Sequence, residues 1–413
     1  MRILVLTQHF PPEGGPHAYR WGWLTKAFAE RGHEVDVVVP RWRADGEDTE
    51  ESVVRAGPGV RVHETAARVS GVQLRRRLIN ELLTAAAAYR AGRGCGKVDV
   101  IIGTVPSLPT LPVAIALGLR TRTPTVAEIR DAWPDLLGEW EQWGDTGTAR
   151  RRPRAGQLVR RVMRRIVPVA EAAYTALQRR AGLVVTTTES WARVLRRRRM
   201  RRVVVIRNTS MAISEPLPLP PARPGGALHV LYVGNFGRAQ HLATAIRAAS
   251  LCHQEGVPVR LRLVGVGAEA EAMRSFNSRL GQPAEIFDRV GVDEVPALYD
   301  WADSVLVTLR AWQPMEWSVP SKLYEALTSG RHITVTAPGE SATIVEHAKA
   351  GHAVPPENPE ALAALWTRMA NDRSLLRPET DLGAAWVRQN ADPDELAERY
   401  LDELELLHHR AAR

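Results

Sequence analysis

The chain has 413 residues, of which 45% are hydrophobic and 24% charged, with a formal net charge of +9. That length supports two globular domains with separate cores. Only Cys95 and Cys252 are present, at unrelated positions, which excludes a disulfide framework or a thiolate zinc module and points to a reducing, cytoplasmic compartment.

The first segment, RILVLTQHF, reads as a buried strand, and no small-residue cleavage pattern follows it, so no signal peptide is expected. The apolar stretch LPTLPVAIALGL is too short to span a bilayer. After the helix-like AYRWGWLTKAFAER come the strand-like runs EVDVVVP, VDVIIGTV, TPTVAEIRD, GLVVTTT and RVVVIRN. Continuous Val/Ile runs separated by helical stretches are the pattern of a parallel, doubly wound sheet.

SEPLPLPPARPGG then breaks the pattern with five prolines and two glycines and reads as a linker. A second α/β series follows: HVLYVGNF, VRLRLVGVG, AEIFDRVG, SVLVTLR and HITVTAP are its strands, with LATAIRAASLC and EAEAMRSFNSRL as helices. The tail from Pro393 is amphipathic, with Asp392 placed to cap it. The expected organisation is a Rossmann-like domain over 1–213, a linker over 214–226, a second Rossmann-like domain over 227–385, and a C-terminal helix over 386–413 packing back toward the first domain. Ligands of such folds sit at the carboxyl ends of strands, in a cleft that two such sheets would face.

The arginines cluster at Arg75 to Arg77, in RRRPR from Arg150, in RRVMRR from Arg160 and in RRRRMRR from Arg196. Such blocks suit anionic lipid, nucleic acid or a phosphorylated substrate, or simply a solvated surface. Charge is the only feature that favours a nucleic-acid binder, so nucleic acid is not expected as a partner.

Two places in the first half carry candidate chemistry. Gly14 and Gly15, in PPEGG, stand where a strand turns into a helix, so backbone N–H groups there can approach an anion, although ordinary turn chemistry explains them equally. EIRDAWPDLLGEW brings Arg130, Asp131 and Trp133 to a strand end, where an aromatic face and charged groups suit a polar acceptor. His9 closes the first strand.

In the second half, Asn235, Arg238 and Gln240 of VGNFGRAQHL lie on a loop of the phosphate-binding kind. In SVPSKLYEAL, the backbone at Ser321 and the Lys322 amine suit a diphosphate, and Glu325 can accept both hydroxyls of a ribose. Capping by Ser318 or Ser321 is the bland alternative. GVGAEA, with Glu285 downstream, matches a variant dinucleotide fingerprint and keeps an NAD enzyme as a rival. The Asp392–Asp394 pair is better read as a cap than as a metal site, so no metal is expected.

Taken in order, TQHFPPEGG, EIRDAWPDLL, LYVGNFGRAQHL and SVPSKLYEALTSGRHITVTAPGESATIVEHAKAG resemble the family 4 retaining glycosyltransferases of GT-B fold, in the branch of fucosamine and N-acetylhexosamine transferases of polysaccharide assembly. The resemblance implies transfer, with retention and without a metal or cofactor, of a sugar from a UDP or GDP donor. The acceptor would be a lipid-linked glycan or a small natural product, with peripheral contact to an anionic membrane at its inner face. It gives Glu325 the ribose, gives Lys322 and the 318–321 backbone the diphosphate, and closes Gly14 and Gly15 over the phosphates. The sugar donor's base falls to the loop at Gly291 and Val292. Asp131 is the candidate general base, with His9 positioning, and Arg130 and Trp133 lie on the acceptor side. A nucleotide-sugar epimerase of the same fold is the alternative. Two departures from the family pattern stand out: Trp317 occupies the place of a donor-contacting glutamate, and Asn235 and Gln240 replace an Arg and a Lys.

Overall fold

The computed structural model describes residues 1–41, 57–65, 74–105, 109–148, 157–210, 212–218, 226–377 and 381–411. Its strands are β1 (Arg2–Leu6), β2 (Glu34–Pro40), β3 (Val60–Thr65), β4 (Val100–Val105), β5 (Thr125–Ile129), β6 (Leu183–Thr186), β7 (Val203–Val205), β8 (Leu228–Val233), β9 (Val259–Val264), β10 (Ala284–Phe287), β11 (Ser304–Thr308), β12 (His332–Thr336) and β13 (Gly351–Ala353). Between them lie α1 (Pro16–Glu30), α2 (Leu74–Gly94), α3 (Thr110–Thr121), α4 (Gln157–Gln178), α5 (Glu189–Arg197), α6 (Ala243–Gln254), α7 (Ala270–Arg279), α8 (Val295–Trp301), α9 (Ser321–Thr328), α10 (Glu340–His347), α11 (Pro359–Asn371), α12 (Leu382–Asn390) and α13 (Pro393–Ala411).

The strands form two all-parallel sheets. The first has the order β3-β2-β1-β4-β5-β6-β7 and the second β10-β9-β8-β11-β12-β13. Parallel sheets need helices on both faces, which is why strands such as VIIGTV are buried along their whole length. In each sheet the order reverses beside the strand that begins it, between β1 and β4 and between β8 and β11. Those two points, at the carboxyl ends, are where such folds bind ligands.

Two compact units result: Met1–Pro134 with Pro168–Arg207 and Asp392–Arg413, and Asp135–Val167 with Asn208–Ala391. In the first, Leu4, Leu6, Val38, Ile101 and Leu117 share one core. A buried charge network adds to it. Arg20 donates from Nε to Glu128 Oε1 at 2.8 Å and from its terminal nitrogens to the carbonyls of Arg207 (2.7 Å) and Ile206 (3.0 Å). Tyr400 of α13 donates to the other Glu128 oxygen at 2.9 Å, and Arg202 pairs with Glu403. These bonds seat the C-terminal helix in the first unit. Asp392 Oδ1 accepts from the N–H groups of Asp394 and Glu395 and caps that helix.

In the second unit Tyr232, Phe236, Leu263 and Trp366 lie in one core. Here the domain boundaries differ from those read in the sequence. Asp135–Val167, inside the expected 1–213 domain, belongs to the second unit. The cause is a set of anchors distant in sequence: Arg310 donates to the Asp145 carbonyl at 2.9 Å, Trp312 Nε1 to Gln142 Oε1 at 2.9 Å, and Arg279 to the Thr148 carbonyl at 3.0 Å. The unit also begins at Asn208 rather than 227, and Leu217 and Pro218 of the linker bond to Ser329 and Arg331. Residues 219–225 of that linker lie outside the described residues.

Two strands escape the hydrophobic pattern. β3 and β13 are edge strands, and a strand covered on one side only carries the mixed residues VRVHET or the three-residue GHA.

Candidate functional site

The second unit's site is built on the β8 and β9 carboxyl ends. Beyond the sheet the two loops stay hydrogen-bonded: Gly234 N–H to Val264 O (2.9 Å), Phe236 N–H to Val266 O (2.8 Å) and Glu269 N–H to Phe236 O (2.9 Å). A Cβ at Gly265 would collide with the Gly234 carbonyl, and one at Gly267 would stand 2.5 Å from the Phe236 oxygen. The glycines of GVGAEA are therefore required by this close loop pairing. Glu285 does not await a ribose: it accepts from Arg260 and Arg262, at 2.5–3.3 Å. Both observations remove the support for the dinucleotide fingerprint.

Asn235 is exposed, Arg238 and Gln240 half-buried, all on this one loop. Arg310 N–H and Thr308 Oγ1 hold its far end through the carbonyls of Ala239 (2.8 Å) and Gln240 (2.9 Å). Lys322 comes to the same loop from α9. Its Nζ lies 3.6 Å from the centre of the Tyr232 ring and has no hydrogen-bond partner. A Cβ at Gly234 would overlap it. Burial lowers the Lys322 pKa to about 7, against a smaller raising effect of Glu325.

Helix α9 starts after Pro320, which as N-cap supplies no side-chain hydrogen bond. Neither Ser318 nor Ser321 caps it; Ser318 donates instead to the Pro314 carbonyl at 3.1 Å. First-turn N–H groups beside a buried amine suit an anion. Glu325 lies three residues after Lys322, hence on the same helix face, and Tyr299 of α8 reaches its Oε2 at 3.4 Å. Val292 is exposed on the turn that leads into α8. Trp317 ends a short helical turn, Gln313–Trp317, and Gly339 packs against the adjacent Glu316 backbone so closely that a Cβ would overlap it.

In the first unit, the helix α1 begins at Gly15, whose φ of 114° favours glycine and which has no side-chain cap. Gly14 beside it is exposed. His9 bonds through Nδ1 to Glu13 Oε1 at 2.8 Å and stacks on His17 with centroids 5.3 Å apart. His17 escaped the sequence reading, although its place two residues inside a glycine-led helix start could have marked it. Burial, then Arg130, His9 and Arg20, hold His17 well below the ordinary histidine range.

Arg130 is buried and donates to the Pro16 carbonyl at 3.1 Å, which ties it to the start of α1. Its pKa falls to about 10 through burial first and Arg20 second. Asp131 beside it is pushed up by burial, with Arg130 pulling the other way. Trp133 is half-buried and its carbonyl accepts from Gln178 at 2.9 Å.

Among the described residues one group of potential metal ligands lies close together, Asp36, His63 and Cys95. Its chemistry opposes a cation. The Asp36 carboxylate already accepts from Arg2 (2.8 Å), Arg61 (2.9 Å) and His63 (2.7 Å), and burial pushes the Cys95 thiol up to about 11. The basic blocks are partly absorbed as well: Arg160 and Arg164 pair with Glu141 at 2.9 and 3.0 Å, and Arg198 stacks on Trp191. Arg161 and Arg165 are exposed, whereas RRRPR and the Arg75 to Arg77 side chains lie outside the described residues. No helix among the described residues is long and apolar enough to cross a membrane.

Known proteins place these features in a family context. Residues 23–209 match Glycosyltransferase Family 4 and residues 227–372 match Glycosyl transferases group 1. Two relatives are named WcaL, for a glycosyltransferase role in colanic acid biosynthesis. The Escherichia coli K12 protein is 26% identical over 196 residues, and that of Salmonella typhimurium LT2 is 28% identical over 145. The matches cover 46% and 34% of this chain and only 48% and 36% of those relatives. Among solved structures, sucrose-phosphate synthase from Thermosynechococcus elongatus is similar with a TM-score of 0.75 at 17% identity, covering 99% of both chains. Anabaena Alr3699/HepE, solved with UDP and glucose, follows with 0.66 at 17%, covering 98% of this chain and 99% of that one. The two parallel-sheet units are those of a GT-B fold.

Proposed function

We propose, from the premise that this chain carries a Glycosyltransferase Family 4 domain and a Glycosyl transferases group 1 domain, that it transfers a sugar from a nucleoside diphosphate donor to an acceptor hydroxyl with retention of configuration. The observation that carries this reading is the buried Lys322 amine, without a hydrogen-bond partner, at the uncapped start of α9 against the Gly234 backbone.

Breaking the sugar–phosphate bond leaves an oxocarbenium-like sugar and a diphosphate that gains negative charge. Lys322, Arg238 and the α9 N–H groups are the groups that meet this charge, without a metal ion. Asn235 and Gln240 supply hydrogen bonds, the Ser321 backbone another, and Glu325 takes the ribose hydroxyls. Val292 lies against the base. On the acceptor side, Asp131 accepts the hydroxyl proton, His9 positions, Arg130 and Trp133 line the site, and Gly14 and Gly15 offer N–H groups to phosphate.

UDP or GDP is the donor nucleotide; HepE, of the same fold, is known with UDP and glucose. The acceptor is a lipid-linked glycan or a small natural product, as the colanic acid role in the name of WcaL supports for the former. Exposed Val162 and Ile166 beside exposed Arg161 and Arg165 on α4 support a peripheral contact with an anionic cytoplasmic membrane face.

Calorimetry with UDP, GDP and TDP, followed by a screen of the corresponding sugars, tests the reading. Binding of none of the three overturns it. Release of free or epimerised sugar with no acceptor present moves the chain to the epimerases.

A further inference from the structure

The second sheet buries a chain of polar side chains beside its β13 edge. Ser304 Oγ of β11 lies 2.9 Å from His332 Nδ1 and 2.8 Å from Thr334 Oγ1, both on β12. His332 Nε2 in turn lies 2.8 Å from His352 Nδ1 on β13. Ser304, His332 and Thr334 are buried, whereas His352 is half-buried. β13 is the last strand of its sheet and pairs over three residues: Ile333 with Gly351, Thr334 with His352 and Val335 with Ala353. We propose that the bond between the His332 and His352 rings is an acid-sensitive latch, which fastens β13 to β12 at neutral pH and releases it once both rings are protonated. It does not depend on the transferase reading.

Proton counting carries it. A bond between two ring nitrogens needs one N–H and one bare nitrogen. With both rings neutral, His352 Nδ1–H donates to His332 Nε2, His332 Nδ1–H to Ser304 Oγ, and Ser304 O–H to Thr334 Oγ1. A first added proton goes to His352 Nε2 and leaves this chain intact. A second has only His332 Nε2 to occupy, and two N–H groups then face each other at 2.8 Å, so the rings must part. The surroundings oppose protonation. Burial first, then His352, lowers the His332 pKa to about 3; burial first, then Arg368 of α11, lowers that of His352. The other helices packed here bring no carboxylate to offset this. α10 buries Ser341, Ile344 and Val345 and keeps Glu346 and His347 exposed, while Lys322 and Glu325 of α9 turn to Tyr232 and Tyr299. Both histidines thus fall below the 6.5 of an opened chain, so the released strand binds more protons below that pH and release grows as pH falls. His352 is also the one long side chain of β13, between Gly351 and Ala353, and a Cβ at Gly351 would overlap the Ile333 backbone.

The test is hydrogen exchange of the full chain, read as the protection of the 351–354 amides at pH 7, 6 and 5 after correction for the intrinsic exchange rate. One proton of difference between open and fastened forms lowers wild-type protection there about tenfold between pH 6 and 5. The amides of β8 and β11 are expected to keep theirs. His332→Gln, which can bond to both neighbours but does not titrate, is expected to give a far flatter profile. Should that variant fail to fold, His352→Leu serves: it removes the bond at every pH, so protection of 351–354 at pH 7 is expected to lie about fivefold or more below the wild type. Wild-type protection that is unchanged from pH 7 to 5, a fall that spreads equally to β8 and β11, the same fall in His332→Gln, or wild-type protection at pH 7 in His352→Leu would each overturn the inference.

Discussion

Lys322 Nζ and Gly234 occupy one space: the amine stands where a side chain at 234 would be, 3.6 Å above the ring of Tyr232. Gly234→Ala therefore expels the amine and also strains the backbone, whose φ of 152° favours glycine. The strain falls on the loop beyond β8, so the variant is expected to fold with a lower Tm while binding of nucleoside diphosphate weakens about tenfold or more, as read by calorimetry. Unchanged binding would separate Lys322 from the diphosphate.

The same burial gives the site a pH response. With the free amine's pKa near 7 rather than the usual 10.5, Lys322 is charged below pH 7 and neutral above it. Diphosphate favours the charged form, so affinity is expected to fall as pH rises above 7, with proton uptake on binding in that range. Lys322→Met abolishes the dependence. The stability sign is opposite. Because the unfolded chain holds the proton up to about 10.5, wild-type stability from this group rises between pH 7 and 10.5, and below pH 7 Lys322→Met is the more stable protein.

Turnover separates the roles along α9. Lys322→Ala and Glu325→Ala each lower the transfer rate roughly a hundredfold or more. Only Glu325→Ala should also weaken free uridine or guanosine, which lack the diphosphate. Chelation with EDTA is expected to leave the wild-type rate unchanged; a loss restored by added Mg²⁺ would overturn the metal-free reading.

Asp131→Asn tests the acceptor side. Burial raises this carboxyl's pKa, so it works as a base only above that raised value, and transfer should decline as pH falls through it. The variant should lose transfer to acceptor far more than it loses donor affinity; equal losses would remove Asp131 from the acceptor step.

The network around Glu128 is a matter of stability. Glu128→Ala leaves Arg20 buried without its carboxylate and should cost about 3–5 kcal/mol in urea unfolding. Tyr400→Phe removes one bond to that carboxylate and should cost about 1–3 kcal/mol. A Tyr400→Phe protein as stable as the wild type would show that α13 is held by other contacts.

Much of the fold was legible because central parallel strands are apolar on both faces: VIIGTV and SVLVT announce themselves. β3 and β13 did not, since an edge has one neighbour and tolerates polar residues. Residues 135–167 were misplaced for another reason. What holds that segment, Arg279, Arg310 and Trp312, comes more than a hundred residues later, and no local pattern records a partner at that distance. Lys322 and Glu325 can be singled out by residue type and helix position, whereas the Lys322 environment is built by Tyr232 and Gly234, far earlier in the chain, and leaves no local mark. The glycines of GVGAEA suggest a cofactor in the sequence, whereas their role is to let two loops touch.

Neither unit is one continuous stretch of chain. The first is made of Met1–Pro134, Pro168–Arg207 and Asp392–Arg413, so the polypeptide enters it three times. Its sheet can be synthesised early, but Glu128 waits for Tyr400, 272 residues further along the chain. The half of the molecule translated first is thus completed after the half translated second. A stop codon before Tyr400 would leave the first unit open, with Glu128 short of one of its partners.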